Sequence, residues 1–219
     1  MSEVLVVEAV QAADSAVIWL HGLGADRYDF EPVAKMLRKQ LPTTRFVLPQ
    51  APTQAVTINA GYAMPSWYDI LSLSEDTRAI NQEQMERSAQ TVLDLIEQQR
   101  DSGINPANIV LAGFSQGGAV VLHSAFLRWQ GPLGGVMALS TYGPTFTDKV
   151  TIADSQKSIP VLFAHGTQDP VVAPQLGRRA FDFLGHQGIS VTWNQYPMEH
   201  EVVLEEINDI ANWLSARFN

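Results

Sequence analysis

The chain has 219 residues, 46% hydrophobic and 17% charged, with a formal net charge of −9 and no cysteine. That length suits one sizeable core burying roughly 70% of the unfolded surface, and the composition excludes collagen-like and disordered chains. The negative balance argues against nucleic acid or an anionic membrane as partner, and the missing thiols exclude disulfides, thiolate metal sites and a cysteine nucleophile.

Residues 1–10 hold two acidic groups and no basic run, so no secretory signal is expected. No apolar stretch approaches the ~18 residues that would span a bilayer. The expectation is a cytoplasmic protein without integral membrane contact, folded as one domain over residues 1–219.

Short apolar runs predict strands at Val4–Val7, Ala16–Leu20 and Arg45–Leu48, with a helix between the last two carrying Val33, Leu37 and Leu41 on one face. Residues 49–80 break the alternation. They hold prolines, a glycine and exposed-looking aromatics, and an irregular stretch of that length is usually functional or disordered. The tryptophan, tyrosine and methionine within it argue against disorder.

A helix follows with Met85, Ala89, Val92 and Ile96 on one face, stopped near Ser102 by a left-handed Gly103. A strand at Ile109–Ala112 leads into residues 116–128, apolar nearly all round and hence a buried helix. Further strands are expected at Val136–Ser140, Pro160–Ala164 and Val191–Tyr196, and a last helix at about 201–217 with Val203, Ile207, Ile210 and Leu214 on one stripe. Several strands are apolar at consecutive positions, as in sheets covered on both faces. The pattern predicts an α/β fold with a mostly parallel sheet of about seven strands and helices on both faces.

The sharpest local signal is Gly113-Phe114-Ser115-Gln116-Gly117, directly after the strand Ile109–Ala112. A serine on a tight strand-to-helix turn stands clear of the sheet edge, and small residues on either side let the chain pass. The bland reading is a glycine-lined turn packing a helix on a strand. The apolar strand before, the buried helix after and the extra Gly118 favour Ser115 as nucleophile.

A neutral serine hydroxyl needs a base within hydrogen-bond reach. On such an elbow the acid and the histidine follow in chain order, on loops after later strands. Asp169 lies just past the strand Pro160–Ala164, and His200 just past the strand Val191–Tyr196. The competing histidines have structural readings. His123 falls on the buried helix, His186 at a predicted helix end, and His165 ends a strand, where it would hold the acid loop. Asp148 and Asp154 sit in a polar connection and are expected to be solvated.

The oxyanion formed in acyl transfer needs waiting donors, each worth about 10²–10³ in turnover. One should be the amide of Gln116. The second is assigned to the amide of Leu23, in the His21-Gly22-Leu23-Gly24 loop after the strand Ala16–Leu20. The alternative is a glycine turn that only connects strand to helix.

With Pro65-Ser66-Trp67-Tyr68-Asp69, His165 to Asp169 and Glu199-His200-Glu201, these motifs resemble the phospholipase/carboxylesterase family essentially over the whole length. That family includes acyl-protein thioesterases, lysophospholipases and small bacterial carboxylesterases. The resemblance implies an α/β-hydrolase without a large cap domain, working without a cofactor or metal on small-molecule acyl esters or thioesters. It also matches Ser115, Asp169 and His200 to the family's triad, and implies that the Trp67 segment lines the acyl pocket. Gly24 is followed by Ala25 where eukaryotic thioesterases usually carry aspartate, so the chain looks more like the bacterial carboxylesterases.

Trp67, Met64, Ile70 and Leu71, with Phe114 and Met198 beside the triad, are therefore expected to form an apolar acyl site, ordinary core being the other reading. Hydrolysis of short- to medium-chain esters is the leading function. A thioesterase or lysophospholipase on longer chains, a peptidase on the same triad, and a non-catalytic binding protein remain as alternatives. An exposed apolar patch around residues 62–73 would support a homodimer.

Overall fold

The computed structural model describes residues 3–74 and 78–218. All seven expected strands form: β1 (Val4–Val7), β2 (Ser15–Leu20), β3 (Thr44–Pro49), β8 (Ile109–Phe114), β9 (Gly135–Leu139), β10 (Val161–Gly166) and β11 (Val191–Tyr196). They make one sheet in the order β1-β3-β2-β8-β9-β10-β11, parallel except for the edge strand β1.

The consecutive apolar residues of β8 divide between two layers. Ile109 and Leu111 enter a core shared with α2 (Gln82–Asp101), α3 (Gln116–His123) and α4 (Pro174–His186). Val110 and Ala112 enter a second core shared with α1 (Glu31–Leu37) and α5 (Leu204–Phe218). A strand covered on both faces has no polar alternation to keep, which is why its sequence reads as a plain apolar run.

Strand order reverses direction at β2, which lies between β3 and β8. The carboxyl ends of β2 and β8 therefore flank the crevice where parallel α/β sheets bind ligands. His21 follows β2 and Ser115 follows β8, so topology alone places the two glycine motifs side by side.

Four features depart from expectation. The described residues of the stretch 49–80 include two small strand pairs, β4 (Thr53–Ala55) with β5 (Ala63–Pro65) and β6 (Ile70–Leu73) with β7 (Arg78–Ile80). Strands of three or four residues interrupted by proline are too short to display a period of two. The aromatics of that stretch are not exposed either. Trp67 and Tyr68 are buried at 1% and 0%, and only Tyr62 stands out at 72%. The helix expected at 116–128 is α-helical to His123 and then widens into a π-turn over Ser124–Arg128, where the Trp129 amide donates to Ser124 O at 2.8 Å. The last helix begins at Leu204, three residues later than expected.

Helix α3 approaches β2 only because of its glycines. A Cβ on Gly117 would lie 2.6 Å from the carbonyl oxygens of Leu20 and His21, and backbone cannot give way cheaply. Gly117→Ala should therefore lower the melting temperature by roughly 2–12 °C, from about 1–3 kcal/mol of overpacking. Gly185→Ala, in α4, meets Val191 Cγ2 at an ordinary 3.5 Å and should raise it by about 2–4 °C through helix propensity. Calorimetry on the two variants checks both signs.

Glu206 on α5 is fully buried. Burial, with Asp209 nearby, pushes its carboxyl up from 4.5 to about 8. The folded chain thus holds a proton that the unfolded chain releases above pH 4.5. Its stabilising effect is complete below that pH and is lost as pH rises through about 8. Glu206→Gln should match the wild type in melting temperature at pH 5 and exceed it by roughly 10 °C at pH 8.5. A difference independent of pH would refute the buried neutral carboxyl.

Candidate active site

Ser115 links β8 to α3 with φ 53° and ψ −118°, a region that non-glycine residues avoid. Its amide donates to Leu139 O at 2.9 Å, and its carbonyl accepts from Thr141 Oγ1 at 2.6 Å. A Cβ on Gly113 would fall 2.4 Å from the Gly117 backbone, and one on Gly118 would strike Thr141 at 2.5 Å. The glycines around the serine are therefore required by contact.

His200 and Asp169 meet on neighbouring loops. Nδ1–H of His200 donates to Asp169 Oδ2 at 2.7 Å. The other carboxylate oxygen accepts the amides of Val171 (2.9 Å) and Val172 (2.8 Å). Gly166 makes this possible, because a side chain there would run into the carbonyl oxygens of Met198 and Glu199 at 2.3 Å. Burial acts to raise the Asp169 carboxyl, but hydrogen bonds from His165, His200 and the Val172 amide outweigh it and hold it well below the usual carboxylate range. His165 Nε2 lies 2.8 Å from Val172 O, so this histidine ties down the acid loop.

Ser115 and His200 line one cleft of about 460 Å³, a size typical of small-molecule sites. Leu23 and Gln116 line it too, and neither amide takes part in the loop and turn hydrogen bonds among the described residues. The loop bearing Leu23 is fixed by His21. Its Nδ1–H donates to Gly22 O at 2.7 Å, and its Nε2 accepts the Ala51 amide at 3.1 Å. Burial lowers its pKa, which suits this neutral tautomer.

The expected acyl wall divides. Phe114 and Ile70 line the cleft, and the Phe114 ring lies 4.7 Å from that of His200. Trp67, Met64, Leu71 and Met198 are not among the residues that line it. Met198 is packed in the core beside α5, Met64 Sδ accepts from Asn59 Nδ2, and Leu71 faces solvent at 46% exposure. Leu71 falls at the bulge between Ile70 and Ser72, and Leu73 is the one that reaches the cleft, with Ile58, Tyr142 and Val171. Beyond Tyr142 and Arg78, which line both spaces, a side chamber of about 240 Å³ is floored by Phe146, Leu176 and Ala180.

Trp67 instead lies behind the site. Its indole N–H donates to His21 O at 2.9 Å, and its amide donates to the Gln116 side chain, also at 2.9 Å. The sequence signal for this was available in principle: a buried tryptophan and a buried glutamine both require partners.

Among the remaining candidates, His123 is buried between Thr145 and Glu86, and burial lowers its pKa to about 4. His186, Asp148 and Asp154 are exposed. No cluster of potential metal ligands occurs among the described residues, and no helix among them is long and apolar enough to cross a membrane.

Acyl-protein thioesterase 1 of Cryptococcus neoformans is 39% identical over 96% of this chain and 95% of its own. The crystal structure of Arabidopsis thaliana SOBER1, whose curated name is carboxylesterase SOBER1, superposes with a TM-score of 0.86 at 31% identity, covering 94% of this chain and 99% of that one. Zea mays acyl-protein thioesterase 2 gives 0.87 at 28% identity, covering both chains fully. The α/β-hydrolase fold is thus shared with both, and the phospholipase/carboxylesterase family model matches residues 1–218, so the chain belongs to that family.

Proposed function

We propose that this esterase-type hydrolase cleaves carboxylic esters of short to medium acyl chain through an acyl-enzyme on Ser115. The observation that carries this reading is the 2.7 Å bond between His200 Nδ1 and Asp169 Oδ2, with His200 and Ser115 facing one cleft. His200 takes the Ser115 proton on Nε2 as Oγ bonds to the acyl carbon. The amides of Leu23 and Gln116 hold the oxygen that becomes negative. The intermediate expels the alcohol, which leaves with the proton from His200, and water then repeats the sequence on the acyl-enzyme. Asp169, kept ionised by its donors, stabilises the imidazolium and fixes its tautomer.

Ile58, Ile70, Leu73 and Val171 give the cleft an apolar wall for the acyl chain. A second reading, hydrolysis of long-chain thioesters, draws support from the thioesterase names of the relatives and from the side chamber beyond Tyr142. The triad cannot separate the two, because it attacks any activated acyl carbon.

A panel of p-nitrophenyl esters from acetate to palmitate, beside a palmitoyl thioester, tests both readings. Ser115→Ala should abolish turnover, and the wild-type optimum should fall on short to medium esters. A palmitoyl thioester optimum would establish the second reading, and full activity in Ser115→Ala would reject the serine mechanism.

Asp169→Asn should lower kcat/KM by about 10³–10⁴, because the amide favours the wrong imidazole tautomer. Since the Asp169 carboxyl stays charged far into acid, the acid limb of the wild-type kcat/KM profile should follow a single ionisation down to pH 4. A limb steeper than one proton would contradict this.

A further inference from the structure

The segment Pro65–Tyr68 lies behind the two proposed oxyanion donors, bonded to the neighbours of Leu23 and to the side chain of Gln116. On one side it brackets Leu23: the Trp67 indole donates to His21 O at 2.9 Å, and Pro65 O accepts the Gly24 amide at 2.8 Å. On the other side it holds the Gln116 side chain, whose Oε1 accepts the Trp67 amide at 2.9 Å and whose Nε2 donates to Tyr68 O at 2.6 Å. Ser88 on α2 secures the segment in turn, its hydroxyl donating to Trp67 O at 2.5 Å. Two of the segment's side chains take part, the indole N–H and the Ser66 hydroxyl, which accepts from Gln116 Nε2 at 3.2 Å. Of the two, the indole N–H is the one that reaches the Leu23 loop, and it can be removed without altering the main chain.

We infer that Trp67 is a positioning residue for the oxyanion site. It sets the spacing of the Leu23 and Gln116 amides by joining His21 O to the Gln116 side chain, and it does not contact substrate. This rests on the reading of Ser115 and the two amides given above. Gly22 and Gly24 leave the Leu23 loop intrinsically loose, with Gly24 at φ 76°, so its amide direction depends on such external bonds. Donors must sit within a few tenths of an ångström of the developing oxygen to act at full strength. Buried as it is, the Trp67–His21 bond is exchanged for no water contact when the indole nitrogen is removed.

The test compares wild type, Trp67→Phe and Ser88→Ala, with rates expressed per site titrated by a fluorophosphonate. Trp67→Phe keeps an aromatic ring and loses the N–H. Its kcat should fall roughly 10- to 100-fold with KM within about twofold, less than the loss of a whole donor. An alkyl trifluoromethyl ketone reads the oxyanion site directly. Ser115 Oγ adds to its carbonyl carbon, the serine proton passes to His200, and the carbonyl oxygen becomes the held anion. Its inhibition constant should rise by the same factor as kcat/KM falls. The acid limb of the pH profile and the acyl-chain preference should not move, because neither His200 nor the acyl wall is touched.

Ser88→Ala acts on the same segment from α2 and should show the same signature at smaller amplitude. It also decides the matter if Trp67→Phe does not fold. Wild-type kcat and trifluoromethyl ketone affinity in the folded variants, or a changed chain-length profile, would overturn the positioning role. Ser115→Ala separates the two failures. If it retains turnover, the serine mechanism itself falls. If it is inactive while Trp67→Phe behaves as wild type, only the inference about Trp67 falls.

Discussion

The rest of the site depends on one backbone turn. At Ser115 the chain passes from strand to helix in a single residue at φ 53°, a conformation that costs about 1–3 kcal/mol. It persists because its surroundings leave no alternative. The amide is pinned to β9 through Leu139 O, the carbonyl to Thr141, and Gly113, Gly117 and Gly118 bring α3 into backbone contact with β8 and β2. The turn aims the first free amides of α3, and the positive end of its dipole, at the sheet edge. Because Gly117 rides on His21 O, the same contact sets the loop that carries Leu23.

Electrostatics at that edge is decided by the number of donors. Asp169 and Glu206 are both buried carboxyls in a chain of net charge −9, yet they shift in opposite directions. Glu206 is ruled by desolvation and stays neutral to about pH 8. Asp169 meets His200, the amides of Val171 and Val172, and His165 close by, and these outweigh the same desolvation. Charge-assisted bonds contribute about 1.5–3 kcal/mol each, so several together reverse the sign. The stretch from His165 to Val172, together with His200, thus turns a costly buried charge into a fixed one.

The sheet was legible because most of its strands are apolar runs between turn residues, the edge strand β11 with Thr192, Asn194 and Gln195 being the exception, and the elbow, acid and histidine were placed by their position relative to those strands. What stayed hidden was the work of residues 49–80. The partners of Trp67 are a main-chain carbonyl 46 residues earlier and a side chain 49 residues later, and no local pattern encodes such a pairing. Reading the tryptophan as an acyl wall followed from the family resemblance, whereas its buried N–H bonds to His21 O behind the cleft. Leu71 and Leu73 would share a face of a regular strand, and the bulge between Ile70 and Ser72 that sets them apart is not announced by a four-residue sequence. Met198 follows β11 into the α5 core because its loop turns immediately, with its amide bonded to Tyr196 O.

The two walls of the cleft are held differently, and this bears on how specificity can vary on a constant triad. On one side, Trp19, Phe30, Phe114 and His200 form a continuous aromatic ladder with successive centroids 4.8, 5.7 and 4.7 Å apart, rooted in the sheet core. Substitution there disturbs the histidine. The opposite wall is a short hairpin and the exposed Val171, anchored at its base where Tyr68 OH meets Tyr142 OH at 2.7 Å. Leu73 and Val171 can change without strain on the sheet. The base of this wall is continuous with the segment that brackets the Leu23 and Gln116 loops, so changes near Tyr68 reach the proposed oxyanion donors while changes at Leu73 do not. On the proposed mechanism, acyl-chain preference is thereby free to drift at Leu73 and Val171, and the rate of the chemical step is guarded near Tyr68.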